Sequence, residues 1–172
     1  MALIDQTYFI LDLSLPLDNY SDIDLYIDRY EPEILRELLG IELANLVLSY
    51  DPATSDQRII DLVKGGTYSD ETGKVRYWDG LVNDGKKSLI ANYVYTKYLQ
   101  DKLSTTTTSG EILGAVENAV HISPAMKYWR ATRKLVEMAT DMFGFIEANE
   151  SDYPEFERGD LSKYKSVNAF DL

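Results

Sequence analysis

Apolar residues recur at helical spacing through most of the chain, and this pattern predicts a mainly α protein built as a helical bundle. Ile23, Ile27 and Tyr30 lie three and four positions apart, so they share one face of a helix. The longest run begins at Pro124 and carries two adjoining apolar seams, which is typical of a bundle helix. The run from Leu89 to about residue 102 is apolar around much of its circumference. We therefore expect that helix to be central in the fold or covered by another subunit.

Caps and breakers divide these runs into separate helices. Ser21 is the expected N-cap of the first helix, because acidic residues fill the turn that follows it. Pro32 is expected to begin a second helical segment, since a proline fits without penalty in the first turn of a helix. Gly40 is expected to end or bend that segment, and Ser88 is expected to cap the helix that follows it. Further short helices are predicted for residues 41–50 and 55–64.

Other regions depart from the helical pattern. Between Gly66 and Gly80, two short β-type runs flank a polar turn and predict a small β-hairpin or an extended loop. Residues 104–110 are polar and threonine-rich and predict a loop, whereas residues 111–123 have no clear period.

An N-terminal arm with alternating leucines packs either on its own domain, which we favour, or on a neighbour. We expect a single helical domain, residues 1–172, comprising an N-terminal arm (1–20), a helical core (21–150) and a C-terminal tail (151–172).

Charges on the longest predicted helix are ordered against the helix dipole. The basic residues come first and the acidic residues follow, whereas the dipole favours acids at the N-terminal end. We expect the basic end to meet an acidic surface of its own domain or of a neighbour; an accidental order on a solvated face is the alternative. The basic residues are Lys127, Arg130, Arg133 and Lys134, and the acidic residues are Glu137, Asp141, Glu147 and Glu150.

The predicted C-terminal tail carries aromatic residues at intervals in an otherwise polar sequence. Aromatic side chains bury a large rigid surface, so spaced aromatic residues can act as anchors. They either dock in grooves of a partner or tie the tail to its parent domain, and the sequence leaves both possibilities open. The expected anchors are Tyr153, Phe156, Tyr164 and Phe170.

Composition restricts the classes of partner and site. The formal net charge of -12 disfavours a sequence-independent grip on nucleic acid and binding to anionic membranes. The sequence contains no Cys, which excludes disulfides, thiolate metal sites and cysteine nucleophiles and favours folding in a cytoplasm. Asp5 and Asp12 interrupt the apolar residues that a signal peptide needs, and no run approaches the roughly 18 apolar residues of a membrane span. We therefore expect neither export by that route nor insertion in a membrane.

No recognisable pattern of catalytic or ligand-binding residues appears. The one histidine, His121, lies in an apolar stretch without an acid or serine at a known spacing, so a structural role is expected. The acids between Asp18 and Asp28 do not follow the calcium-loop pattern and instead alternate with residues at helical core spacing. Gly85-Lys86-Lys87-Ser88 lacks the first glycine of a phosphate-binding loop, which leaves Lys86 and Lys87 as a small basic spot. We expect no catalytic centre, no cofactor and no metal.

A set of short segments runs through nearly the whole chain. It includes Ser88-Leu89-Ile90-Ala91-Asn92-Tyr93-Val94-Tyr95, Gly110-Glu111, Glu117-Asn118-Ala119 and Ser123-Pro124-Ala125-Met126. It also includes Leu3-Ile4-Asp5, the stretch from Tyr30-Glu31-Pro32 to Leu38-Leu39-Gly40, Trp78-Asp79-Gly80-Leu81 and Asn168-Ala169-Phe170. In these segments the chain resembles a family of small proteins encoded in phages and prophages of Bacteroidales. It departs from that family at Asp171, where a glycine is expected.

That family is similar in size and helical content to the connector, or adaptor, proteins that form a ring below the portal of tailed phages. The resemblance implies a non-enzymatic structural subunit of a virion, assembled in the cytoplasm of a bacterial host. Its expected partners are further copies of itself in a ring and the portal and tail proteins. DNA is expected to pass through the ring, and no specific nucleic-acid binding is expected. A helical regulatory or interaction module of a host or prophage is the alternative, and it would be a monomer or dimer with one binding groove. An enzyme would need a concave pocket with titratable groups of perturbed pKa.

Overall fold

Most of the described chain is helical, and the predicted mainly α fold with a small hairpin is confirmed. The computed structural model describes residues 2–15, 20–104 and 124–165. Its helices and strands are α1 (Tyr20–Leu39), α2 (Ile41–Leu48), α3 (Gln57–Lys64), β1 (Gly66–Ser69), β2 (Val75–Trp78), α4 (Leu89–Ser104), α5 (Pro124–Ala148) and α6 (Ser162–Lys165). Short 3-10 turns lie at Gln6–Tyr8, Leu11–Leu13 and Glu150–Asp152.

Helix α4 lies at the centre of the bundle, between α1 and α5. Residues 89–96 are all buried, and Tyr98 and Leu99 in the next turn are buried as well. Of the two expected arrangements, the structure shows the central one: other elements of the same chain cover this helix. The predicted cap is also confirmed, because the Ile90 backbone N–H donates to Ser88 Oγ over 3.2 Å.

Helix α1 runs without interruption through Pro32, so the predicted start of a second helix at this proline was wrong. Ser21 lies inside the helix, which already begins at Tyr20, so the predicted N-cap was wrong too. A proline inside a helix loses one backbone hydrogen bond and costs about 3 kcal/mol. Burial of the helix offsets this cost, because Ile34 and Leu35, which follow the proline, are fully buried.

Glycines end two of the helices, at Gly40, as the sequence predicts, and at Gly65. Gly40 closes α1 with a φ of 79° and leads directly into α2. Gly65 closes α3 with a φ of 86°, and its backbone N–H is donated to the Asp61 carbonyl. Both φ values lie in the left-handed region, which glycine adopts without a steric penalty.

Strands β1 and β2 form the predicted hairpin, with Gly66 opposite Trp78 and Ser69 opposite Val75. One face of the hairpin packs on α5, where Phe145 meets the Trp78 ring with centroids 6.4 Å apart. The Trp78 indole N–H is satisfied inside the core, because it donates to the Leu62 carbonyl over 2.8 Å. The hairpin is therefore a fixed part of the bundle surface.

Several expectations fall on residues outside the described ranges. The predicted loop at 104–110 overlaps the described chain only at Ser104, the last residue of α4. The segment 111–123, which includes His121, lies outside the described residues, and so does Phe170.

Candidate functional site

A buried carboxylate fixes the start of the N-terminal arm, residues 2–15, to helix α1. Glu31 is only 2% exposed, and its two oxygens accept the Leu3 backbone N–H at 3.0 Å each. One of these oxygens also accepts the Ile4 N–H at 3.3 Å. Burial raises the pKa of Glu31, and the bonds from the two N–H groups partly oppose that rise. The arm therefore lies on its own domain, held by hydrogen bonds to one side chain.

Further along, the arm contacts the segment that precedes α4. Tyr8 is buried, and its hydroxyl accepts the Asn83 N–H at 3.3 Å and lies 3.4 Å from the Asn83 carbonyl. The Lys86 ammonium lies 4.6 Å from the centroid of the Tyr8 ring, within cation–π range. Phe9 is fully buried beside Tyr8. These contacts make the arm and the residues before α4 one continuous wall.

A groove of about 410 Å³ lies between this wall and the first half of α5. Residues 10–14 of the arm, residues 85–88 before α4 and side chains of α5 line it, and Asn92 of α4 forms part of its floor. Among the residues that the structure describes, Asp12 is the only acidic one in the lining. Five of the 17 Lys and Arg residues of the chain line this basic groove: Lys86, Lys87, Lys127, Arg130 and Lys134.

Most of the positive charge in the basic groove is unneutralised. Lys134 lies 3.1 Å from a Glu137 oxygen. Among the described residues, none of the other four cations has a carboxylate oxygen within 4 Å. On a chain with a net charge of -12, this concentration of cations favours an acidic partner.

The groove also holds the two strained non-glycine residues of the described chain. Leu11 and Lys86 each have a φ of 54°, and they line the groove from opposite segments. A side-chain-bearing residue in this left-handed region costs about 1–2 kcal/mol, and such residues cluster at functional sites. Leu11 is 86% exposed and Ile10 is 44% exposed, so the strained backbone presents apolar side chains to solvent. Exposed apolar side chains can supply buried area to a partner, and unpaired cations beside them can select an acidic one.

Of the four basic residues predicted on α5, the structure brings three together in the groove: Lys127, Arg130 and Lys134. Arg133 lies on another side of the helix. Its Nε is 3.2 Å from Glu137, and its guanidinium lies 5.5 Å from the Trp129 ring centroid. It lines a second cavity, of about 370 Å³, with residues of α6.

The predicted tail anchors dock on their own chain wherever the structure describes them. Tyr153 is 3% exposed, and its hydroxyl donates to the Arg58 carbonyl over 2.7 Å. Phe156 packs against an aromatic ring of α5, with centroids 5.7 Å apart. The Tyr164 hydroxyl donates to Glu37 over 2.7 Å. For the described part of the tail, residues 151–165, these three anchors tie the chain to its parent domain.

Sequence reasoning missed the arm residues of the groove and gave Lys86 and Lys87 no role. Ile10 and Leu11 belong to a stretch of alternating apolar residues, which indicated an arm without showing which side chains stay exposed. Lys86 and Lys87 are 40 or more positions away from the α5 cations in sequence. Their proximity follows from the packing of the arm and α5 around α4, and no short-range pattern reports it.

Comparisons with family models, with curated proteins and with solved structures find no match for this chain. Within the described residues, no helix is long and apolar enough to cross a membrane. The same part of the chain contains no group of three or more His, Cys, Asp or Glu side chains that could hold a metal ion.

Proposed function

We propose that this chain is a structural subunit that joins copies of itself and neighbouring proteins in an assembly. The observation that carries the proposal is the basic groove on an acidic subunit, with exposed Leu11 beside unpaired cations. Unpaired charge together with an exposed apolar anchor supports docking of another protein, because the anchor supplies buried area and the charges select the partner.

More specifically, we propose a head–tail connector subunit of a tailed phage, which forms a ring below the portal. The resemblance of the sequence to small phage and prophage proteins supports this assignment. The acidic surface supports it as well, because a net charge of -12 repels DNA phosphates and lets DNA pass without sticking. The proposed partners are further copies, the portal and the tail proteins, and assembly takes place in the cytoplasm of the bacterial host.

Light scattering over a wide range of protein concentration tests the proposal, with mass measured at low and at high salt. We expect the mass to rise with concentration toward a closed oligomer, and electron microscopy of the largest species to show rings. The charged contacts predict that added salt weakens association, because ions screen exposed pairs. A chain that stays monomeric at every concentration, or stops at a dimer, contradicts the ring assignment.

A matched pair of variants connects that result to the groove. Leu11→Ser removes the exposed apolar anchor, and Val75→Ser removes a similarly exposed apolar residue on the hairpin, where Val75 is 68% exposed. We expect the first variant to lose association and the second to keep it. Equal effects of the two substitutions would show that general surface hydrophobicity, and not the groove, drives association.

A further inference from the structure

The N-terminal half of α1 carries an exposed face whose character is opposite to that of the basic groove. Leu25 is 70% exposed, and among the exposed large apolar residues of the described chain only Leu11 exceeds it. Asp24 precedes it and Asp28 lies one turn further along, and both are exposed. Asp28 lies four positions after Asp24 and three after Leu25, and side chains at these two spacings are neighbours on a helix, so Asp24, Leu25 and Asp28 form one acidic face around Asp28.

The two carboxylates of the acidic face are available for a partner. Among the described residues, no Lys or Arg nitrogen lies within 4 Å of Asp24 or Asp28. The neighbouring cation, Arg29, lies over the Tyr30 ring at 5.2 Å from its centroid. The acidic face therefore combines one apolar side chain with two unpaired negative charges.

We infer that the acidic face of one copy docks in the basic groove of a second copy. This inference rests on the proposed function, which requires copies of the chain to associate. Leu25 packs against the exposed apolar side chains of the arm, Ile10 and Leu11. The carboxylates of Asp24 and Asp28 approach the unpaired cations, so each surface supplies what the other lacks.

Other exposed apolar positions fit the groove less well. Ile41 is 66% exposed and has one acidic neighbour, Glu42. Val75 and Tyr77 share one face of the hairpin, because side chains alternate along a strand, and the β1 residues paired with them are Ser69 and Thr67. These partners carry no charge, so this pair of strands offers no carboxylate to the cations of the groove. The acidic face is therefore the occupant with the best charge complementarity.

We take the proposed contact to be directional, with the basic groove of one copy on the acidic face of the next; the two surfaces share no residue. Each added copy then leaves one groove and one face free, so association continues until the rotation between copies closes a ring. The acidic face lies on α1 and three of the five groove cations lie on α5; both are long helices, which limits the ordering that binding requires at these positions. The same contact therefore accounts for a ring of identical subunits.

Charge reversal on each surface tests the contact. The groove variant carries Lys127→Glu and Arg130→Glu, and its matched control carries Lys64→Glu and Lys74→Glu, at exposed positions outside the groove. The face variant carries Asp24→Lys and Asp28→Lys, and its matched control carries Glu42→Lys and Glu150→Lys. Circular dichroism and thermal unfolding confirm that each chain folds before its mass is measured.

We expect the groove variant and the face variant each to weaken association at least tenfold, while both controls associate like the wild type. A chain with all four reversals restores complementary charges across the contact, so we expect it to associate again. Rescue of this kind distinguishes a direct contact from general effects of net charge, because the net charge of the rescued chain equals that of the wild type.

The outcomes separate this inference from the proposed function. If the wild type associates but the face variant does so equally well, the acidic face is not the occupant and the inference is overturned while the proposed function stands. If both variants are weakened and the four-fold reversal does not restore association, the two surfaces belong to different contacts and the inference is again overturned. A wild type that never associates overturns both.

Discussion

The N-terminal arm, residues 2–15, and the C-terminal segment, residues 149–165, both lie on the helical bundle but present different surfaces to solvent. The C-terminal segment is held by buried aromatic rings, such as Tyr153. The arm is held by hydrogen bonds to Glu31 of α1 and by burial of its own Phe9, and it exposes Leu11 on a strained backbone. We interpret the C-terminal segment as a stabilising clasp and the arm as one wall of a docking surface.

This difference predicts that changes in the C-terminal segment reduce stability, whereas changes at the exposed part of the arm reduce association. The largest effect is expected for Gly159→Ala. A Cβ at Gly159 would lie 2.1 Å from the Glu37 carbonyl oxygen, and the Gly159 N–H already donates to the Leu38 carbonyl over 3.1 Å. We expect the free energy of unfolding to fall by about 3 kcal/mol, as measured by denaturant titration.

Gly66→Ala is the control for that substitution, because a Cβ at Gly66 has no neighbouring atom within 4 Å. If Gly159→Ala lowers the free energy of unfolding no more than the control does, the C-terminal segment does not pack closely against α1 at Gly159.

The next largest loss of stability is expected at Glu31, which binds the start of the arm to α1. Glu31→Gln replaces a carboxylate that accepts the N–H groups of Leu3 and Ile4 with an amide that offers one acceptor oxygen. We expect a loss of about 2 kcal/mol in the free energy of unfolding, because a buried amide group is left unpaired. Hydrogen exchange at Leu3 and Ile4 should accelerate. Glu42→Gln, at an exposed position, should change neither quantity.

A smaller effect, with a defined pH dependence, is expected at the start of the clasp. Arg58 holds Glu155 through two hydrogen bonds of 2.6 and 2.9 Å, and these bonds lower the pKa of Glu155. A lowered pKa means that the stabilisation is present above the ordinary pKa of a glutamate and is lost as pH falls through the folded value. We expect Glu155→Gln to cost about 1 kcal/mol at neutral pH.

The same comparison at acidic pH provides the check. Below the folded pKa, wild type and Glu155→Gln should unfold at nearly the same denaturant concentration. A difference between them that stays constant down to that pH would mean that the ion pair is not its source.

The smallest change in stability is expected for Leu11→Gly. Unlike the three substitutions above, it should raise the free energy of unfolding. Glycine adopts a φ of 54° without strain, so the substitution relieves about 1–2 kcal/mol, less the roughly 0.5–1 kcal/mol of backbone entropy that glycine loses. We expect a net gain of about 0.5 kcal/mol together with a loss of association. A variant that is more stable yet still associates like the wild type would show that the strain at Leu11 serves no contact.

The periodicity of the sequence was sufficient to predict α2 to α5 and a hairpin or loop between Gly66 and Gly80, and it left α4 either central or covered by another subunit. It did not indicate α6. It failed at Pro32, because the rule that places proline in a first turn does not weigh the burial that holds α1 together around it. Charge order identified the basic end of α5. Helical spacing explains why Arg133 lies apart, since 127, 130 and 134 follow one face and 133 does not.

The rest of the candidate site depends on contacts between distant segments. Leu11 and Lys86 take their positive φ values from the way the arm and the residues before α4 pack on the bundle. Neither residue type favours that conformation by itself, so no local pattern predicts it. The groove is therefore visible only in the tertiary structure, even though three of its cations stood out in the sequence.

Cross-linking between single-cysteine chains tests directly whether copies associate from groove to acidic face. The chain contains no cysteine, so Ser14→Cys in the lining of the groove and Arg29→Cys, one turn beyond Leu25 on α1, each introduce a unique thiol at an exposed site and keep both apolar anchors. Treated with a short bifunctional maleimide, a mixture of the two chains should give a cross-linked heterodimer, and neither chain alone should do so. If each chain alone cross-links as readily as the mixture, or if Val75→Cys replaces Ser14→Cys without loss, the directional contact is contradicted.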